Sequence, residues 1–228
     1  MEQRSIRVWD LPVRLFHWLL LVCVVGAVVS VKLGGGAMQW HGLFGQAIVG
    51  LIAFRLVWGV VGSTTARFAS FVRPGAIGTY LKGRWHGIGH NPLGAFSVLA
   101  LLGLVGFQAV SGLFTYDDIS FYGPMAAMVD GPTTAKITGW HRIAEPFIYI
   151  LLALHVGAVF FYTFVKKDSL VKPMITGDKR VSDPTLESTR GGGALAFCIA
   201  LAIAVAVVWA TSGVFNPPPP PPAPAVGW

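Results

Sequence analysis

The sequence predicts an all-α membrane protein, a bundle of four membrane-crossing helices joined by a fifth. Composition, segment length and the placement of charge each point that way. Hydrophobic residues make up 54% of the 228 and charged residues 12%, with a mean hydropathy of +0.65, the balance of a polytopic membrane protein. Five stretches, approximately 12–32, 41–62, 92–115, 139–165 and 194–215, are long enough to cross a hydrocarbon core of about 30 Å at about 1.5 Å per residue. The net charge of +7 is gathered in particular loops, so it reads as orientation in a membrane and not as affinity for nucleic acid.

The first stretch opens with Asp10 as cap and Pro12 at a first helical position. Arg4, Arg7 and Arg14 precede or enter it as in a signal peptide, but it lacks a cleavage pattern and contains Arg14 and His17, so it reads as a retained helix. Asn91-Pro92 repeats the same start signal at the third stretch. Residues 1–166 form the four-helix core, and 167–192 read as a polar linker on the cytoplasmic side, ending in Gly191–Gly193. The fifth span occupies 193–216. The tail 217–228 follows, read either as an extended polyproline rod or as a disordered spacer. Basic residues mark three segments: Arg4 and Arg7; Arg67, Arg73, Lys82 and Arg84; Lys166, Lys167, Lys172, Lys179, Arg180 and Arg190. The intervening loops hold Lys32 on one side of the second stretch, and Asp117, Asp118, Asp130 and Lys136 before the fourth. The positive-inside bias therefore places the N-terminus in the cytoplasm and the C-terminus outside. Cys23 and Cys198 lie in apolar segments without CxxC or CxxCH, so they read as small buried hydrophobes and exclude c-type haem attachment.

Histidine spacing carries the chemistry. His141 and His155 lie fourteen residues apart in the fourth stretch; at about 100° and 1.5 Å per residue, the second imidazole returns to within about 40° of the first, about 21 Å along the axis. By distance from the charged ends, His17 shares a depth with His155, and His41 shares one with His141. Two coplanar pairs can each ligate both axial positions of a flat macrocycle, and bis-histidine ligation favours electron transfer over oxygen chemistry. Zinc or copper is the other cofactor class to weigh, but tetrahedral zinc needs ligands converging on one point. Arg55, fourteen residues after His41, and Arg14, one turn before His17, are candidate partners for haem propionates; snorkelling to the interface is the alternative for each. Arg142 or Lys136 can fill that role at the outer level. His86 and His90 form an i, i+4 pair in WHGIGHNP, read as a solvated pair or a metal site. His90 and Asn91 stand where a polar donor can hold a quinone carbonyl, a role compatible with Asn91 as an N-cap. Tryptophans 9, 18, 40, 58, 85 and 140 mostly fall at segment ends, as an interfacial belt does.

The blocks VWDLPVRLFHWLL, MQWHGLFG, RLVWGVVGS, GHNPLGA, GLFTYDD and VKPMITG, spread over residues 7–177, resemble the bacterial cytochrome b561 and Ni,Fe-hydrogenase cytochrome b family. The resemblance implies a four-helix core holding two non-covalent haem b groups, with His17, His41, His141 and His155 as the iron ligands. A more distant resemblance, to the cytochrome subunit of respiratory formate dehydrogenase, implies a quinone site at Asn91 beside His90. The fifth helix and proline-rich tail depart from the four-helix pattern. The expected function is a di-haem cytochrome b of the bacterial inner membrane, embedded in lipid, carrying electrons between the quinone pool and a periplasmic redox protein, either a hydrogenase or a c-type cytochrome. A stand-alone enzyme passing electrons from quinol to a small oxidant such as superoxide, and a haem-free metal transporter, are the rival classes.

Overall fold

In the computed structural model, residues 4–85, 87–117, 119 and 121–217 are described. His86 and the tail beyond residue 217 lie outside these, as does Asp118. In chain order come strand β1 (Arg4–Arg7), helices α1 (Leu11–Leu33) and α2 (Met38–Val61), short helices α3 (Phe68–Phe71) and α4 (Ile77–Leu81), then α5 (Pro92–Gly112) and α6 (Gly131–Phe160). A π-helical turn, Phe161–Val165, extends α6; α7 (Val171–Thr176), strand β2 (Asp178–Val181) and α8 (Gly193–Ala210) complete the chain. Among the described residues, five helices are long and apolar enough to cross a membrane.

Helix starts follow the capping chemistry in the sequence. Asp10 Oδ1 accepts from Val13 N at 2.7 Å and Asn91 Oδ1 from Gly94 N at 2.7 Å, each ahead of a proline that needs no hydrogen-bond partner of its own. Asp130 caps α6 in the same way, accepting from Thr133 N at 2.9 Å, with Pro132 behind it. That start lies well before the residue 139 expected from hydropathy, because Thr133, Thr134 and Lys136 dilute the apolar signal while the cap fixes the first turn. The third and fifth spans stop at Gly112 and Ala210, short of the expected 115 and 215.

Helix α2 is central, packing on α1, α5 and α8, while α6 packs on α5. Glycine makes two of these approaches close: a Cβ on Gly26 would stand 2.5 Å from the Phe44 ring, and one on Gly50 2.6 Å from Val208 Cγ2. Polar clamps reinforce them. Gln46 Nε2 donates to Val208 O at 2.9 Å and to Thr211 Oγ1 at 2.8 Å, holding α8 on α2. Trp58 Nε1 donates to Asp10 Oδ2 at 3.0 Å, tying the end of α2 to the start of α1. Leu19, Val60, Leu154 and Leu195 are among the large apolar side chains that face outward, as lipid contact requires.

Two apolar cores lie along the bundle. Phe16, Phe54, Trp58, Ala200 and Ala204 fill one, with Ile6, Val8 and Trp9 beneath it; Val24, Ile48, Val105, Ala109 and Ile148 fill the other. The first marks what we term the ribbon end. There β1 pairs antiparallel with β2, Arg4 opposite Val181 and Arg7 opposite Asp178. The stretch 167–192, read as a linker, is thus ordered: α7 ends at Gly177, whose φ of 91° suits glycine and whose carbonyl accepts from Val8 N and Trp9 N at 2.8 and 3.1 Å. Thr189 and Arg190 close onto Thr64 and Thr65, so all three basic segments gather at this end. The short ribbon is a β element that the all-α expectation lacked. Cys198 is exposed, contrary to its reading as a buried hydrophobe, because the α8 face that packs on α2 is formed by Ala200 and Ala204.

Candidate functional site

Four histidines meet in two pairs. His17 on α1 and His155 on α6 have ring centres 6.3 Å apart, and His41 on α2 and His141 on α6 have ring centres 6.2 Å apart. Helix α6 packs chiefly on α5 and meets α1 and α2 more loosely, and at each pair the imidazoles face each other across a gap. A metal–imidazole bond of about 2.0–2.1 Å and about 1.1 Å from nitrogen to ring centre, counted on both sides of one ion, span about 6.3 Å. Both gaps therefore fit one metal between two imidazoles, and the chemistry of the donors fits a haem iron. Among the described residues, no group of three or more histidines, cysteines or carboxylates is placed to hold a bare metal ion.

The far-end pair is the better supported by its neighbours. His41 Nδ1 is 2.9 Å from the carbonyl of Ala27, and His141 Nδ1 is 3.0 Å from Ser111 Oγ. Ser111 in turn donates to Gln108 O at 3.1 Å, so its oxygen is free to accept from His141 Nδ1. Each contact assigns the proton to Nδ1 and leaves the Nε2 lone pair for a metal. Neither Ser111 nor the Ala27 carbonyl was identified from sequence, since both contacts cross between helices. A cavity of about 390 Å³ opens beside this pair, lined by both histidines and by Gly42, Gly45 and Gly112, where side chains would intrude on a planar ligand. A Cβ on Gly112 would stand 3.1 Å from His141 Cε1.

Arg142 lines the same cavity, whereas Lys136 lies with its ammonium 5.1 Å from the Trp140 ring centre and is absent from the lining. Of the two outer-level candidates, Arg142 alone reaches the cavity. Glu145 and Tyr149, which the sequence reading passed over, also line it. Lys32 Nζ stands 2.6 Å from Glu145 Oε1, to which Tyr149 also donates, so α1 is latched to α6 beside the cavity.

At the ribbon-end pair, His17 Nδ1 is buried without a hydrogen-bond partner among the described groups. Arg55 is 3% exposed, with Nη1 unpartnered and its guanidinium carbon 4.6 Å from the Phe68 ring centre. The Asp10 carboxylate acts on this cation but does not bond Nη1, which leaves one buried donor for an anionic group brought by a ligand. Arg14 is differently used. Its Nη2 donates to Ile175 O, anchoring α7 to α1, and only Nε is left buried without a partner.

The two candidate quinone residues separate in role. His90 is held between Trp9 and Phe71, ring centres 4.7 and 4.6 Å away. Burial, reinforced by the positive charge of Arg55, His155 and His17, pushes its imidazole down to about 3. Asn91, besides capping α5, donates from Nδ2 to Tyr162 Oη at 2.7 Å, and Tyr162 is hydrogen-bonded to Tyr80 Oη. Neither tyrosine stood out in the sequence, because they come together only through the π-helical turn and α4.

Comparison with known proteins identifies the family. The family model described as prokaryotic cytochrome b561 matches residues 8–177. The chain is 22% identical over 222 residues to a probable Ni/Fe-hydrogenase B-type cytochrome subunit from Rhizobium leguminosarum bv. viciae, covering 80% of this chain and 92% of the relative. The probable Ni/Fe-hydrogenase 1 B-type cytochrome subunit of Escherichia coli K12 is 23% identical over 209 residues, covering 75% and 88%. A similarly described subunit from Azotobacter chroococcum mcd 1 is 24% identical over 221 residues, covering 80% and 91%. No solved structure matches the chain significantly.

Proposed function

Since the chain belongs to the prokaryotic cytochrome b561 family, a family of b-type membrane electron carriers, we propose that it binds two haem b groups and carries electrons between the quinone pool and a redox protein outside the inner membrane. The observation that carries this reading is the near-identical spacing of the two histidine pairs, 6.3 and 6.2 Å between ring centres. When bound, the haems supply one-electron chemistry at two levels of the bilayer.

The chain's own residues determine how that chemistry is used. Two imidazoles at each level leave no open coordination position, which disfavours oxygen activation. His41 and His141 are held in one tautomer by Ala27 and Ser111, which raises their basicity as ligands. The unpartnered Arg55 Nη1 would neutralise a propionate at the ribbon end, and Arg142, which lines the cavity, would do so at the far end. The packed apolar cores that flank each level lower the local dielectric.

The gathering of the three basic segments at one end supports placing the ribbon end in the cytoplasm and the far end outside. Quinone would then react near His17 and His155. The similarity to hydrogenase subunits supports a hydrogenase as the outer partner. A reduced-minus-oxidised spectrum with a haem-to-protein ratio tests the reading: a b-type α-band at two haems per chain is expected, and the absence of a Soret band would end it.

A further inference from the structure

Tyr162 lies seven residues beyond His155 on the face that carries His141 and His155; seven residues return a helix to within about 20° and advance it by about 10 Å. It falls in the π-helical turn Phe161–Val165, a distortion frequent at functional positions. The hydrogen bonds around it join the start of α5 to α4. Asn91 Oδ1 accepts from Gly94 N, which fixes the amide so that Nδ2 faces Tyr162 and donates to its hydroxyl oxygen at 2.7 Å. Tyr162 and Tyr80 share a hydrogen bond that can run either way, and in one of its two directions Tyr162 donates to Tyr80 Oη. Tyr80 stands on the short helix α4 at the ribbon-end surface. In that direction the chain of donors runs Asn91 to Tyr162 to Tyr80, from the start of α5 outward. One Asn91 amide hydrogen and one Tyr162 lone pair remain for a ligand that both accepts and donates.

We propose that Tyr162 and Tyr80 form the proton exit of the quinol site, with Asn91 holding a carbonyl oxygen of the headgroup. The inference rests on the quinone reading above and adds the route by which protons leave. Oxidation of one quinol to quinone gives up two electrons, taken singly by oxidised haem b, and two protons. Each proton passes from a quinol hydroxyl to Tyr162 Oη as Tyr162 releases its own to Tyr80, and Tyr80 releases one to water. The hydroxyls return to their starting state by rotation.

The test uses the haem-loaded, full-length protein in detergent with duroquinol as reductant. Tyr162→Phe should keep its haem content, its reduction by dithionite and, within about threefold, its affinity for duroquinone by calorimetry. Its haem reduction by duroquinol should slow by about 10²-fold, the lower range for loss of a positioned proton-transfer group, and should lose its solvent deuterium isotope effect. Tyr80→Phe should slow it less, in the same sense. A Tyr162→Phe protein reduced by duroquinol at the wild-type rate between pH 6 and 9 would overturn the proposal and leave the quinone reading standing. A wild-type protein that dithionite reduces and duroquinol does not would overturn both.

Discussion

Single side chains account for most of the chemistry, and they fail in distinguishable ways. His155→Ala should drop the haem-to-protein ratio from two to one and leave the far-end haem in place, because His141, 14 residues before it, keeps its own partner His41; a pyridine haemochrome assay with a redox titration reads this directly. Ser111→Ala removes the oxygen that fixes the His141 tautomer and should weaken far-end haem binding by about 10–100-fold, measured by titrating haem into stripped protein. His90 gives a pH signature. A histidine whose folded pKa is lowered contributes stability that is present above the ordinary value of about 6.5 and lost as pH falls below it. With the folded value near 3, thermal stability should decline through that window, and His90→Gln should flatten the decline.

Helices and their contacts set what the side chains can reach. Gly50→Leu should push α8 off α2, since even a Cβ there stands 2.6 Å from Val208. Overpacking of about 1–3 kcal/mol corresponds to a fall of about 2–10 °C in the temperature at which haem absorbance collapses. The helices themselves were largely legible in the sequence. Asp10-Leu11-Pro12 and Asn91-Pro92 fix two starts by local chemistry, and fourteen-residue spacing put His141 and His155 on one face without knowledge of their neighbours. The pairing by depth also needed nothing beyond helix rise and the positions of arginine and lysine. What stayed hidden depends on contacts distant in sequence. The β1–β2 ribbon, the Ser111 and Ala27 contacts, the Lys32–Glu145 latch and the Tyr162–Tyr80 pair each join segments whose own residues carry no local pattern. The early start of α6 at Asp130 was hidden differently, since a hydropathy window weighs Thr133 and Lys136 more than it weighs a cap.

Taken as a whole, the molecule closes its bundle unevenly. Helices α1, α2, α5 and α8 meet through packed side chains, while α6 faces α1 and α2 across the two histidine gaps. Both pairs draw one member from α6, the last of the four core helices to leave the ribosome. On the two-haem reading, the far-end iron would therefore lack its second imidazole until residue 141, and the ribbon-end iron until residue 155, has been synthesised and inserted, however early α1 and α2 enter the bilayer. A chain stopped before Gly131 should retain no haem when purified, and one stopped at Gly192 should retain both if α8 is dispensable for loading. Cofactor delivery to this protein is in that sense a late event of biogenesis, one that fastens a nearly assembled bundle shut.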